Sequence, residues 1–206
     1  MSKTFESFMK QYHATGREKL DGYDPSHFEG LTSQEISTVE EMLINDAMKL
    51  DSAAIQGLGY LGTENSKNAL RNLLSKTSAP CDAHLCIVKA LWKITRDMEL
   101  QKNIIEDFDK NNAALRQQAA IALQYTTPSP IMLNTFLEML RTEQEAVMRT
   151  LAAGGILLYH GLLNSYADME NFKKYLQLVR MLSQSNDENT LISALSEVEK
   201  EAAKFK

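Results

Sequence analysis

The stretch Ala54-Ile55-Gln56-Gly57-Leu58-Gly59-Tyr60-Leu61 decides the fold, because related stretches recur along the chain at a nearly constant spacing. The other copies are Cys86–Ile94, Gln118–Tyr125 and Leu151–Tyr159. Their central apolar residues lie 33, 32 and 33 residues apart, and these are Leu58, Leu91, Leu123 and Ile156. Each follows a small residue, namely Gly57, Ala90, Ala122 or Gly155. This period predicts stacked helix pairs, since one such pair cannot bury its apolar face alone.

The segments between these copies predict a second helix in each repeat. Leu73, Ile105 and Leu137 lie 32 residues apart, and each sits within a local apolar set. Glycine inside a helix costs about 1 kcal/mol relative to alanine. Gly57 and Gly155 at one register position therefore indicate that neighbouring helices approach closely there.

Capping signals mark several helix starts. Thr32-Ser33-Gln34-Glu35 is a capping box, which predicts a helix from about Ser33 to Lys49. Pro130 after Ser129 suits a first helical position, because the missing N–H has no helical partner there. Ser185-Asn186-Asp187-Glu188 reads as a second capping box, before the last helix. An N-terminal helix is expected from about Thr4 to Lys19.

The composition favours helices and disfavours sheets. The chain has 27 Leu and 20 Ala against 5 Val, so helix formers far outnumber β-branched valine. No run approaches 18 apolar residues, and the charged start does not fit a signal peptide. We therefore expect a cytoplasmic protein without a membrane partner. The formal charge of −5 argues against nucleic acid as the main partner.

The repeats resemble HEAT-like repeats, a family of α-solenoids, over about residues 33–163. The resemblance rests on the spaced Gly/Ala–Leu pairs, on Asp51 and Asn112 as caps, and on Arg116 and Arg149 in early turns of first helices. It implies an all-α fold, a right-handed α-solenoid of antiparallel helix pairs with no β-sheet. Residues 1–30 would dock on the stack as a helix and loop, residues 31–163 would form the repeats, and residues 164–206 would form capping helices of one continuous domain.

The sequence shows little that predicts catalysis, so we expect no enzyme activity, no metal and no cofactor. Cys81, His84 and Cys86 form its single Cys/His cluster, and the two cysteines would be about 140° apart on a helix. The His-Glu dipeptides of iron-binding HEAT-like hydroxylases do not occur, nor do a phosphate-binding loop or a nucleophile elbow. HEAT-like stacks are mostly binding scaffolds, which the resemblance implies here as well.

Aromatic side chains are the first candidate partner-binding residues. Trp92 is about 140° from Ile87 on its helix, away from the apolar stripe, so we expect it to be an exposed anchor. Tyr60 and Tyr125 share the register position of Lys93 and would form a row on a neighbouring flank. Alternatively, these aromatic residues cover the groove between adjacent repeats.

Acidic side chains are the second candidate set. Glu106, Asp107 and Asp109 follow one another closely, and Glu138 lies one repeat further on. We expect this cluster to face the inner surface of the stack or its rim, where an acidic concave strip would attract a basic protein partner and speed encounter. Alternatively, the cluster is an ordinary solvated face.

These observations predict a non-catalytic protein-binding α-solenoid whose oligomeric state stays open. Small acidic proteins of this kind resemble immunity proteins that bind and neutralise bacterial toxins, many of which are basic. A general interaction scaffold is the alternative. A HEAT-like nucleic-acid enzyme such as a DNA glycosylase is disfavoured, because residues 51–110 hold eight basic and eight acidic residues. A local basic patch could still form from Lys67, Arg71, Lys102 and Arg141.

Overall fold

The computed structural model describes residues 1–205, apart from the side chain of Leu20, and this range contains helices and no β-strand. The predicted all-α class is confirmed. The described helices are α1 Lys3–Tyr12, α2 Gly16–Leu20, α3 Ser33–Ala47, α4 Ser52–Leu61, α5 Glu64–Leu74, α6 Asp82–Thr95, α7 Leu100–Glu106, α8 Ala113–Gln124, α9 Pro130–Thr142, α10 Ala146–Tyr159, α11 Met169–Lys174, α12 Leu176–Ser183 and α13 Glu188–Ala203. A 3₁₀ turn covers Pro25–His27.

The chain divides into two compact units, Met1–Leu100 and Gln101–Lys206. In the first unit, α4 packs against α3, α5 and α6. A β-carbon at Gly59 would lie 3.0 Å from the β-carbon of Ala90, so α4 and α6 are in close backbone contact. A β-carbon at Gly57 would lie 3.0 Å from Leu43. The prediction that the small residues mark close helix approach is confirmed in this unit.

In the second unit, α10 is the central helix and packs against α8, α9 and α12, while α12 packs against α13. Gly155 on α10 faces the ring of Phe136 on α9, and a β-carbon at this glycine would overlap the ring. Phe136 is fully buried, so the ring has no free space to move into. Glycine at this register position is therefore explained by packing in the second unit as well.

Two arginines repeat one structural role in the second unit. Arg116 Nη1 donates to the carbonyls of Asp109 and Lys110, at 2.9 and 3.0 Å, in the loop before its own helix. Arg149, 33 residues later, donates from Nη1 to the carbonyl of Glu143 at 3.0 Å and from Nε to that of Ser183 at 2.6 Å. Both guanidinium groups thus donate to backbone carbonyls in loops and at helix ends, which have no partner within regular secondary structure.

The N-terminal segment docks within the first unit. Phe8 of α1 is fully buried and stacks on Tyr23, with ring centroids 5.3 Å apart. The backbone N–H of Ser2 donates to Glu35 at 2.7 Å. The predicted single helix from Thr4 to Lys19 is wrong: α1 ends at Tyr12, and α2 begins at Gly16, where φ is +60°.

Most predicted caps are confirmed. Thr32 and Glu35 form a capping box, Ser129 caps α9 ahead of Pro130, and Asp51 and Asn112 accept the expected backbone N–H groups. The capping box predicted at Ser185 is wrong. Asp187 is the cap of α13 and pairs with Thr190, because the hydroxyl of Ser185 instead donates to the carbonyl of Leu182 at the end of α12.

Candidate functional site

An apolar groove of about 400 Å³ opens on the second unit. We call it the aromatic groove, and it is lined by Gln124, Thr150, Leu151, Gly154, Leu163, Tyr166, Ala167, Met169 and Phe172. Its floor comes from α8 and α10, and its wall comes from residues 163–172. Gly154 leaves space at the floor, since the nearest atom to a β-carbon there would be Gln124 Nε2, at 3.6 Å.

Asp168 orders the wall of the aromatic groove. Its carboxylate accepts hydrogen bonds from the backbone and side-chain N–H groups of Asn164 and Asn171, at 2.8 to 3.1 Å. The bond from the Asn171 side chain, followed by those from the backbone of Asn164 and Asn171, lowers the pKa of Asp168 to about 2. The loop that carries Tyr166 is therefore held by one ionised side chain.

Tyr125 extends the aromatic surface beyond the groove. Its side chain is 58% exposed, and its ring lies 5.3 Å from the ring of Tyr166, centroid to centroid. Met169 on the wall is also 58% exposed. Exposed aromatic and methionine side chains that adjoin an apolar groove are typical of protein-binding surfaces. Sequence reasoning found Tyr125 but missed Tyr166, Met169 and Phe172, which lie outside the repeats.

A second groove, of about 500 Å³, opens on the first unit. We call it the lysine groove; its lining includes Ser52, Ala53, Gln56 and Tyr60 of α4, Cys86, Lys89, Ala90 and Lys93 of α6, and Gly16, Lys19, Asp21, Gly22 and Asp51. Tyr60 stacks on Phe28, with centroids 5.9 Å apart and planes at 18°. Lys93 Nζ lies 3.0 Å from the centroid of the Tyr60 ring, a cation–π contact.

Burial shifts the pKa of two titratable groups in the lysine groove, Lys93 and Cys86. Partial burial of the Lys93 amine lowers the pKa of Lys93, and nearby Arg96 makes a smaller contribution in the same direction. Burial raises the pKa of the Cys86 thiol, which favours the unreactive protonated form. Cys81 has a structural role, because its sulfur accepts the backbone N–H of His84 at 3.3 Å and caps α6.

Trp92 is not the exposed anchor that its helical angle predicted. The side chain is only 5% exposed. Because α6 packs against both α4 and α5, its buried arc is wider than the single stripe through Ile87 and Leu91. The indole Nε1 has no hydrogen-bond partner among the described residues. Leu157, the register equivalent of Trp92 in the second unit, is also buried.

The predicted acidic strip is only partly exposed. Asp107 is fully buried, so the expectation of an exposed side chain is wrong for this residue. Asp109 is partly buried and accepts the backbone N–H of Asn111 at 2.9 Å, in the turn that also supplies carbonyls to Arg116. Glu106 and Glu138 are exposed. Sequence reasoning missed that this loop is an arginine-binding turn.

The second unit also has a cavity of about 860 Å³, whose charged groups are already paired. Arg141 binds both oxygens of Glu188, at 2.7 and 3.0 Å, and Arg149 is used by loop carbonyls. In the first unit, Lys67 pairs with Glu64. Two members of the basic patch considered above, Lys67 and Arg141, are thus neutralised by neighbouring carboxylates.

The described residues form neither a metal-binding cluster nor a membrane-spanning helix. Among residues 1–205 there is no group of three or more His, Cys, Asp and Glu side chains placed to hold a metal ion. Within the same range, every helix is too short or too polar to span a membrane. Comparisons with protein-family models, curated proteins and solved structures gave no match.

Proposed function

We propose that this chain is a non-catalytic protein-binding α-solenoid, built from antiparallel helix pairs, that holds an apolar anchor of its partner in the aromatic groove. The observation that carries the proposal is the apolar lining of that groove beside the 58% exposed side chains of Tyr125 and Met169. Covering such a surface lowers the free energy by about 25 cal/mol per Å² of apolar area removed from water.

The repeat register supports the solenoid part of the proposal. In each unit, consecutive first helices pack on each other, α4 on α6 and α8 on α10, with small residues along these helices. Arg116 and Arg149 tie their helices to neighbouring loops in the same way, 33 residues apart. Stacks of this kind present one surface from each successive repeat to a partner.

The composition of the aromatic groove favours a protein partner. Tyrosine supplies a large contact area with few rotatable bonds, and methionine adapts to the shape of an inserted side chain. Polar groups at the floor are sparse, and Gln124 is already committed to the carbonyl of Leu151. We therefore expect an apolar or aromatic side chain of a partner, rather than a polar metabolite, to enter the groove.

The most specific form of the proposal is a cytoplasmic immunity protein that binds and neutralises a basic toxin domain. The charge of −5 and the exposed carboxylates of Glu106, Glu138 and Glu170 support a basic partner, because opposite charge speeds encounter. A general interaction scaffold would use the same groove without a toxin.

Affinity capture with matched variants tests the binding proposal. The tagged chain is compared with Met169→Lys, which places a charge on the groove wall, and with Ile192→Lys, which places the same charge on exposed Ile192 of α13. We expect the wild-type chain and the α13 variant to retain one protein partner, and Met169→Lys to lose at least about tenfold in affinity. Equal affinity of all three chains for that partner would contradict the proposal.

Neutralisation is tested separately with the captured partner. We expect production of the partner alone to arrest growth, production with the wild-type chain to restore it, and production with Met169→Lys to restore it poorly. A partner that binds through the groove without harming cells would exclude the immunity form and leave the scaffold form standing.

A further inference from the structure

One wall of the lysine groove is cationic and is formed by Lys89 and Lys93 of α6. Lys89 and Lys93 are exposed and lie one helical turn apart on α6. Neither forms an ion pair with a carboxylate in the part of the chain that the structure describes. Like charges four residues apart on a helix repel each other, so the pair is intrinsically unfavourable without an anion.

The two carboxylates at the other end of the groove do not offset this wall. Asp51 is committed to the cap of α4, accepting the Ala54 N–H at 3.0 Å, and it lies 4.0 Å from Lys19 Nζ. Asp21 is exposed beside α2. The groove therefore has two parts. Lys19 and Asp51 pair near α2, and the ammonium groups of Lys89 and Lys93 lie on α6.

Tyr60 fixes the position of one ammonium group. The Tyr60 ring is held by its stack on Phe28 and lies directly beneath Lys93 Nζ. A lysine that rests on an aromatic face has fewer accessible rotamers than a solvated one, so it loses less entropy on binding an anion. The contact prepares the groove for a ligand of opposite charge.

The spacing selects an extended acidic segment. Four residues of α-helix rise about 6 Å, which separates the attachment points of Lys89 and Lys93. Alternate side chains of an extended chain are about 6.8 Å apart and point the same way. We propose that the lysine groove binds an extended acidic segment of a protein, in which Asp or Glu at every second position pairs with Lys89 and Lys93. This site is distinct from the aromatic groove, and neither proposal depends on the other.

Fluorescence anisotropy of a labelled (Glu-Ser)₄ peptide with the full chain tests this site. We expect measurable binding in about 50 mM salt that weakens as salt is raised, because the contacts are exposed ion pairs. The variant Lys89→Gln/Lys93→Gln should bind about tenfold more weakly. Glutamine removes the charge and keeps two of the four methylene groups of lysine, and a circular dichroism melt checks that the variant is folded.

Three controls separate this site from general charge. Lys3→Gln/Lys76→Gln removes two exposed lysines of the same unit and should leave peptide affinity within about twofold. Lys93→Arg keeps the charge and should retain most of the affinity. The (Gln-Ser)₄ peptide, which has no carboxylate side chains, should not bind.

Several outcomes would overturn the proposal. These are no binding of (Glu-Ser)₄ to the wild-type chain, an equal loss in the control double variant, and equal binding of the glutamine peptide. Tighter binding of an oligothymidylate of the same length, lost in Lys89→Gln/Lys93→Gln, would assign the groove to single-stranded nucleic acid instead. None of these results bears on Met169, so failure here is distinguishable from failure of the aromatic groove.

Discussion

The lysine groove and the aromatic groove lie at equivalent register positions of the sequence, yet the first is cationic and the second is apolar. Each lies along two successive first helices, α4 and α6 in the first unit and α8 and α10 in the second. The register positions of Cys86, Lys89 and Lys93 hold Leu151, Gly154 and Leu158 in the second unit. A few differences on the helix surface thus separate a cationic groove from an apolar one. The buried register position of Leu91 is apolar in both units.

The walls of the two grooves differ as well. In the first unit, Lys19 approaches Asp51 at the start of α4, so part of the edge is tied to a helix cap. In the second unit, the wall is a loop whose order depends on Asp168. In each unit, two neighbouring helices thus form the floor of the groove, and segments outside the sequence period complete its edge.

The largest expected effect concerns two buried side chains at one register position, Trp92 in the first unit and Leu157 in the second. Trp92→Ala and its register equivalent Leu157→Ala should each destabilise the fold, by about 3–5 and 2–5 kcal/mol, because both side chains are buried. Trp92→Phe should cost much less, since it also removes a buried N–H without a partner. Urea unfolding measures all three. A Trp92→Ala variant as stable as the wild type would show that Trp92 and Leu157 do not have the same role in the core.

The next effect distinguishes two adjacent glycines of α10. Gly155→Ala should destabilise by about 1–3 kcal/mol, because the new methyl group overlaps the buried ring of Phe136. Gly154→Ala meets only ordinary contacts and should stabilise by up to about 1 kcal/mol. If both substitutions change the unfolding midpoint in the same direction, close packing does not explain the glycine at the shared register position.

The smallest expected effect is the loosening of the wall of the aromatic groove when acid protonates Asp168. The pKa of Asp168 is lowered from 3.8 to about 2, so its stabilising effect on the loop is present above about pH 4 and is lost as the pH falls through about 2. We expect the NMR methyl signal of Met169 to shift over this range. Asp168→Asn should remove the shift, whereas Glu170→Gln, a change at the adjacent residue, should leave it. A shift that persists in Asp168→Asn would show that another group controls the wall.

Local signals in the sequence predicted the helices well. The Thr32 box, the Ser129-Pro130 start and the caps at Asp51 and Asn112 all depend on neighbouring residues, and the structure confirms them. Ser185 and Asp187 were both possible caps of α13. Asp187 is the cap because the hydroxyl of Ser185 donates to the carbonyl of Leu182 at the end of α12.

The candidate sites were harder to predict because they depend on contacts distant in sequence. Helical angle alone placed Trp92 on the surface, but α6 is covered from two sides. The repeat register did place Tyr60 and Tyr125 at equivalent positions, and each borders a groove or contacts a residue that lines one. Tyr166 lies outside the repeated sequence pattern. The spacing of Asn164, Asp168 and Asn171 was the one sequence signal that could have indicated an ordered loop around it.

Hydrogen–deuterium exchange of the chain with its captured partner tests the proposed binding surface most directly. We expect slower exchange on binding in residues 163–172 and at the end of α8 near Tyr125, with little change in α13 around Ile192. Protection confined to α13 or to the first unit, with residues 163–172 exchanging as in the free chain, would contradict binding through the aromatic groove.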